Sequence, residues 1–147
     1  MKKNLVKAVV VLVVFLAGLT VFMQFRPVVD NPPVTGTIQA SPEVLGILQK
    51  SCFDCHSNQT RITWLQKLPV ARLMVASDVK GARSILNFTE WDKYTPMEKD
   101  GLIYMAVMAA EHGQMPPEDY LMIHPDAKLS KEDKAVLQEW LVSIRPQ

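Results

Sequence analysis

Cysteine is scarce in this chain of 147 residues: there are two, Cys52 and Cys55. Two are too few for a disulfide scaffold and too few for an all-cysteine zinc or iron–sulfur site, so the pair has to be explained as a pair. No stretch alternates apolar and polar residues with the period of a half-buried strand, and no segment repeats; the reading left is all-α. A clustered basic face is also missing, which excludes a nucleic-acid partner. The formal net charge of +1 comes from Lys2, Lys3 and Lys7; the remainder carries 13 basic against 15 acidic residues, a net charge close to −2. Its signs are interspersed, as on an ordinary solvated surface.

What is present begins with an apolar run. Residues 5–25 span 21 positions, interrupted only by Lys7, Gly18, Thr20 and Gln24. As a helix this is about 31 Å long, close to the hydrocarbon thickness of a bilayer. Lys2, Lys3 and Lys7 precede most of it, and Arg26 alone directly follows it. That asymmetry puts the N-terminus in the cytoplasm and the rest of the chain outside. A cleaved signal peptide begins with the same charges but ends in small residues. Here the run ends Thr20-Val21-Phe22-Met23-Gln24-Phe25, which favours a retained, single-pass anchor.

The chain then divides into an anchor at residues 1–25, a Pro-rich linker at 26–40 and a domain at 41–147. Pro27, Pro32, Pro33 and Gly36 deny the linker a helical period, and it is expected to let the domain swing above the membrane. Ser41-Pro42-Glu43 reads as a helix start, followed by Val44, Leu45 and Leu48 at helical spacing. Residues 61–69 read as irregular, with Trp64 and Pro69 as packing and turn residues. The pattern predicts a helix over 70–86 with Leu73, Met74 and Val79 inward and Lys80 and Arg83 outward. Thr95-Pro96-Met97-Glu98 is a capping box for a helix through Leu102, Ile103, Ala106 and Ala110 that Gly113 closes. Met105 and Met108, inside it, are expected in the core. Ser130 to Asp133 is a second capping signature, with Val136, Leu137, Trp140, Leu141 and Ile144 as the apolar face behind it.

Cys52-Phe53-Asp54-Cys55-His56 is the Cys-x-x-Cys-His signature of c-type haem attachment. Residues three apart point to one side of a helical turn, so both thiols can meet the two vinyl groups on one porphyrin edge. His56, next in the chain, can then present a nitrogen to the iron. A thioredoxin-like dithiol belongs near a βαβ pattern, and half a zinc site lacks its second ligand pair. A plain structural disulfide would not need the histidine. The cofactor expected is one covalent haem c.

A second axial ligand completes six-coordination, commonly a Met opposite the His. Met115 is the candidate: it follows Gly113, precedes the rigid Pro116-Pro117, and lies 59 residues after His56. His112 and His124 are the rival ligands, although His112 has an alternative as a helix cap and His124-Pro125 as a turn. The function expected is one-electron transfer without enzymatic turnover, with redox protein partners and the membrane as the anchor's partner. An open sixth site would instead give a redox or gas sensor, or a peroxidase-like enzyme using Glu111 or His112.

Residues 52–61, Cys-Phe-Asp-Cys-His-Ser-Asn-Gln-Thr-Arg, resemble the opening of the bacterial haem-binding domain family, which is cytochrome c-like. Leu86-Asn87-Phe88-Thr89-Glu90-Trp91 resembles its middle. Met115-Pro116-Pro117, Tyr120, His124-Pro125, Ala127, Leu129-Ser130 and Trp140 resemble its C-terminal part. The family usually reads Trp-Pro-Trp-Tyr after the arginine, where this chain has Ile62-Thr63-Trp64-Leu65. The resemblance implies a cytochrome c-like helical domain around a haem, iron ligation by His56 and, by position, by Met115. The N-terminal run and its flanking charges imply a single-pass protein of the cytoplasmic membrane, with the haem domain expected on the periplasmic side.

Overall fold

A computed structural model describes residues 2–25 and 29–145. Arg26 and Pro27, which open the expected linker, and Gln147, which ends the expected domain, lie outside the described residues. Among the described residues there are seven α-helices, and the only strand-like pairing is an isolated parallel bridge between Gly36 and Glu90. The all-α expectation holds. The chain forms two compact units, Met1–Asp30 with Ile62–Ser77 and Asn31–Arg61 with Asp78–Gln147.

The first unit contains α1, Lys2–Gln24, which has a mean hydropathy of 2.7 in its most apolar window and no buried residue. It is long and apolar enough to cross a membrane. Helix termini leave their last carbonyls unpaired, and the Arg72 guanidinium donates to the Met23 carbonyl in the last turn of α1. Before α4 (Pro69–Ile85) runs a 3-10 turn, Leu65–Lys67. The buried Gln66 secures it by accepting from the Thr63 N–H and hydroxyl at 2.8 and 3.0 Å. Two expectations fail here. Leu73 and Met74 face outward, and Trp64 is 70% exposed. The buried face of this stretch is the one carrying Arg72, whose partner is the end of α1 rather than an apolar core.

The second unit holds the core. Ser41 caps α2 (Pro42–Ser51) by accepting from Val44 N–H, with Pro42 opening the helix as expected. One-turn α3 (Phe53–His56) follows directly. The end of α4 leads through a 3-10 turn at Trp91–Lys93 to α5 (Pro96–Glu111), which Thr95 and Glu98 cap reciprocally. Gly113, at φ +69°, takes the left-handed turn that ends α5, a conformation that only glycine adopts without strain. Short α6 (Glu118–Ile123) and a 3-10 turn at Pro125–Ala127 precede α7 (Lys131–Ile144). Helix α7 packs on α5 and α2. Val44, Leu48, Leu102, Val107, Leu137 and Leu141 fill the space between them. Val136 is only partly buried and Ile144 is exposed, so the inward stripe of α7 is narrower than its apolar residues suggest. Met105 is likewise exposed.

The expected linker is not free after Asn31. Ile38 is 1% exposed, and its N–H donates to the Phe88 carbonyl at 2.9 Å. The Thr35 and Gly36 N–H groups donate to the Thr89 carbonyl, and Trp91 N–H returns a bond to the Gly36 carbonyl. A proline-rich segment with few amide donors can still dock where its remaining ones find partners.

Asp133 joins two helices. Its carboxylate accepts from Ser130 N–H at 2.8 Å, closing the α7 capping box, and from Lys50 of α2 at 2.6 Å. Burial pushes its carboxyl up, but Lys50 and Ser130 outweigh this and hold it below the usual range. The resulting stability is complete above the unfolded value of about pH 4 and is lost as pH falls through the lower folded value. Asp133→Asn is therefore expected to cost about 1 kcal/mol at neutral pH. In denaturant melts against pH, it should lose less further stability than wild type between about pH 4 and 2.

Candidate functional site

The Cys-x-x-Cys-His motif sits where α2 ends. Cys52 N–H still bonds the Leu48 carbonyl at 2.8 Å, but its backbone (φ −125°, ψ −36°) breaks the helix and restarts it as α3. Cys55 and His56 N–H both donate to the Cys52 carbonyl, at 3.2 and 2.9 Å. Both thiols and the imidazole thus belong to one turn, and all three residues are half-buried with both cysteines unpaired.

The residues between and after them hold this turn. Phe53 is buried and stacks on Phe88, with ring centres 5.6 Å apart; Phe88 stacks in turn on Trp91. Asp54 is 5% exposed, an expensive place for a carboxylate without partners. It has several: the Arg61 N–H at 3.2 Å, the Arg61 guanidinium at 3.0 and 3.1 Å, and the Tyr120 hydroxyl at 2.7 Å. Burial and this hydrogen bond push the Tyr120 phenol up, so it stays a donor at neutral pH. Ser57, fully buried, donates to the Phe53 carbonyl at 2.7 Å and accepts from Gln59 N–H at 3.0 Å. Arg83, expected to point outward, instead donates to the Ser57 carbonyl at 2.7 Å and to the Thr60 hydroxyl at 2.8 Å.

Residues 86–90 clasp the turn from the other side. His56 Nδ1 lies 3.1 Å from the Leu86 carbonyl oxygen. The acceptor is a carbonyl, so Nδ1 carries the proton and Nε2 is the nitrogen with a free lone pair. The ring edge meets Phe88, and Phe88 N–H donates to the His56 carbonyl at 2.8 Å. Beneath lies a closed polar network. Asn87 Nδ2 donates to Asn58 Oδ1 at 2.8 Å, while Asn87 Oδ1 accepts from the Thr89 N–H and hydroxyl at 3.1 and 2.9 Å. Asn58 N–H donates to Thr89 Oγ1 at 2.7 Å, and its Nδ2 donates to Glu90 at 3.0 Å.

Burial governs the titration of the motif. It pushes the Cys52 thiol up to about 12, with Cys55 adding to the effect. It pushes the Cys55 thiol up to about 11, helped by the charge of Asp54. Burial also lowers His56 below the ordinary imidazole value, against the opposing pull of the Leu86 and Ala82 carbonyls. At neutral pH the three side chains are thus two thiols and a neutral imidazole.

The expected distal residues lie at the end of α5 and in the segment that follows it. Met115 is 42% exposed and lines an open cleft of about 440 Å³ with Ala110, Pro116, Leu121, Met122 and Leu129. Cys52, Cys55 and His56 are not among its lining residues. His112 caps α5, its Nδ1 2.7 Å from the Met108 carbonyl oxygen. His124 stacks on Tyr120 with ring centres 4.4 Å apart, and its Nε2 is buried without a hydrogen-bond partner. Asp54, Asn58, Asn87 and Thr89 have no role that spacing or pattern assigns. Their signal was weak: short polar residues among other polar ones, whose partners lie up to 66 positions away.

Removing the Asn87 side chain would strand Asn58 Oδ1 and both Thr89 donors in a dry interior. Asn87→Ala is expected to cost about 2–3 kcal/mol. The denaturation midpoint should fall while the denaturant dependence stays unchanged.

Buried, satisfied clasps around an imidazole whose Nε2 keeps its lone pair, with two unpaired thiols on the same turn, fit a haem-binding site. No curated protein and no solved structure matches the chain. Residues 10–143 match the haem-binding domain family, nearly the whole chain from within α1 to the last turn of α7. The chain belongs to the haem-binding domain family.

Proposed function

We propose that this haem-binding protein is a mono-haem c-type cytochrome, anchored by α1 in the cytoplasmic membrane, that carries single electrons on the periplasmic side. One observation carries the reading: Cys52, Cys55 and His56 share a single turn, and the Leu86 carbonyl holds His56 through Nδ1, which leaves Nε2 for iron. Such a second partner is the usual means of fixing a metal-bound histidine's tautomer and ring orientation. Each thiol would add across one vinyl group of the porphyrin, so that a C–S bond forms and the thiol proton passes to the neighbouring carbon. The raised thiols argue against the rival use of the pair as an exchanging dithiol, which needs lowered values. The haem, when bound, supplies a ferric–ferrous couple.

The chain's own contribution is to hold the ring and the attachment edge still. The clasp from residues 86–90 fixes His56 on one side, and Asp54 with Arg61 and Tyr120 fixes the turn between the cysteines. For the sixth position Met115 is the proposed ligand, set on a rigid Met115-Pro116-Pro117 segment after the Gly113 turn. His124 is the second reading, favoured by its buried and unpartnered Nε2. His112 is occupied as a helix cap, which weighs against the peroxidase-like alternative. For the anchor, the supporting fact is the length and hydropathy of α1.

Visible spectra of the matured protein and two variants test the ligand. A thioether favours ferrous iron more than imidazole does, so Met ligation raises the potential. Met115→Ala is expected to abolish the far-red Met–iron charge-transfer band of the oxidised protein and open the reduced protein to carbon monoxide, with pigment still covalently attached. His124→Ala should leave both features as in wild type. The opposite pattern would transfer the ligand to His124. A wild-type reduced protein that binds carbon monoxide readily would favour the sensor or enzyme readings.

A further inference from the structure

The stretch between the turn after the motif and the middle of α4 exposes more apolar surface than its length warrants. Trp64 is 70% exposed, Val70 73%, Met74 57%, Leu73 52% and Leu68 49%. Val70, Leu73 and Met74 stand at i, i+3 and i+4, one face of the first two turns of α4. Trp64 and Leu68 flank the 3-10 turn just before it. Contiguous exposed patches of this kind mark an interaction site rather than scattered surface residues.

Three features identify what covers it. The stretch belongs to the same compact unit as α1, and Arg72 donates to the Met23 carbonyl at the end of α1. Its charges are of one sign: residues 62–77 contain Lys67 and Arg72 and neither Asp nor Glu. An exposed tryptophan beside an exposed lysine, Lys67, is the composition of a segment at the headgroup level of a bilayer. From these we infer that residues 64–74 dock on the outer leaflet of the membrane that α1 crosses, with Trp64, Leu68, Leu73 and Met74 entering the headgroup–acyl boundary. Lys67 faces the lipid phosphates. The inference rests on the anchoring of α1 proposed above. It adds a second, interfacial contact, so that the chain is held to the surface and not only tethered.

The test uses the full-length, haem-loaded protein in vesicles of phosphatidylcholine and phosphatidylglycerol, with a photoactivatable diazirine on a fraction of the acyl chains. After illumination, lipid adducts are mapped by peptide mass spectrometry. Adducts are expected on α1 and, separately, on residues 64–74. The triple variant Trp64→Ser, Leu68→Ser, Met74→Ser should lose the second set and keep the first; unchanged haem absorbance would show that it still folds, as fits three exposed positions. Adducts on α1 with none on residues 64–74 would overturn the inference and leave the anchor standing. Protein–protein crosslinks at residues 64–74 in place of lipid adducts would overturn it in favour of a second copy as the occupant. Absence of adducts on α1 itself would overturn the anchor, and the docking with it.

Discussion

The site depends on one buried polar clasp between two corners of the chain, residues 56–60 and 86–90. Asn58, Asn87 and Thr89 are each at most 4% exposed, and their side chains satisfy one another. In a dry interior such groups are costly unless paired, so the network admits one register and penalises the others. That register brings the Leu86 carbonyl to His56 Nδ1 and the Phe88 N–H to the His56 carbonyl. The orientation of the proposed iron ligand is therefore set by residues 30 positions downstream, not by the helix turn that carries it.

Further parts of the second unit depend on the same corner. The segment from Thr35 to Ile38 pairs with the carbonyls of Phe88 and Thr89, so the chain leading into the domain is fastened to the clasp. The Phe53–Phe88–Trp91 stack continues it into the core. Asp54 performs the matching task on the cysteine side, where Arg61 neutralises its charge and Tyr120 brings in α6. Burial favours the neutral forms of the motif, two thiols and an imidazole.

Features encoded within a few neighbouring residues were legible in the sequence. Ser41, Thr95 and Ser130 cap the helices they were expected to cap, because a cap is an interaction across three positions. Gly113 ends α5 for a reason equally local, its positive φ. The Cys-x-x-Cys-His motif is visible because the chemistry proposed for it needs fixed spacing. Long-range pairings were not legible. Nothing near Arg83 says that Ser57 and Thr60 will claim it, and nothing in the prolines before Ala40 says that Ile38 will be buried. Periodicity places Leu73 and Met74 inward, where the structure exposes them, because it registers an apolar face without saying what covers it. The block at residues 86–91 was recognisable as a resemblance; its role as the clasp on His56 required the structure.

Cys52 and Cys55 are proposed to bind a single haem covalently while His56, backed by Leu86, holds its iron. The most direct measurement is the intact mass of full-length protein produced with a cytochrome c maturation system, before and after acid–acetone treatment. Covalent binding predicts the polypeptide mass plus one haem in both samples, and the bare polypeptide mass when Cys52 and Cys55 are both alanine. A wild-type protein that binds haem yet returns the bare mass after acid–acetone would contradict it.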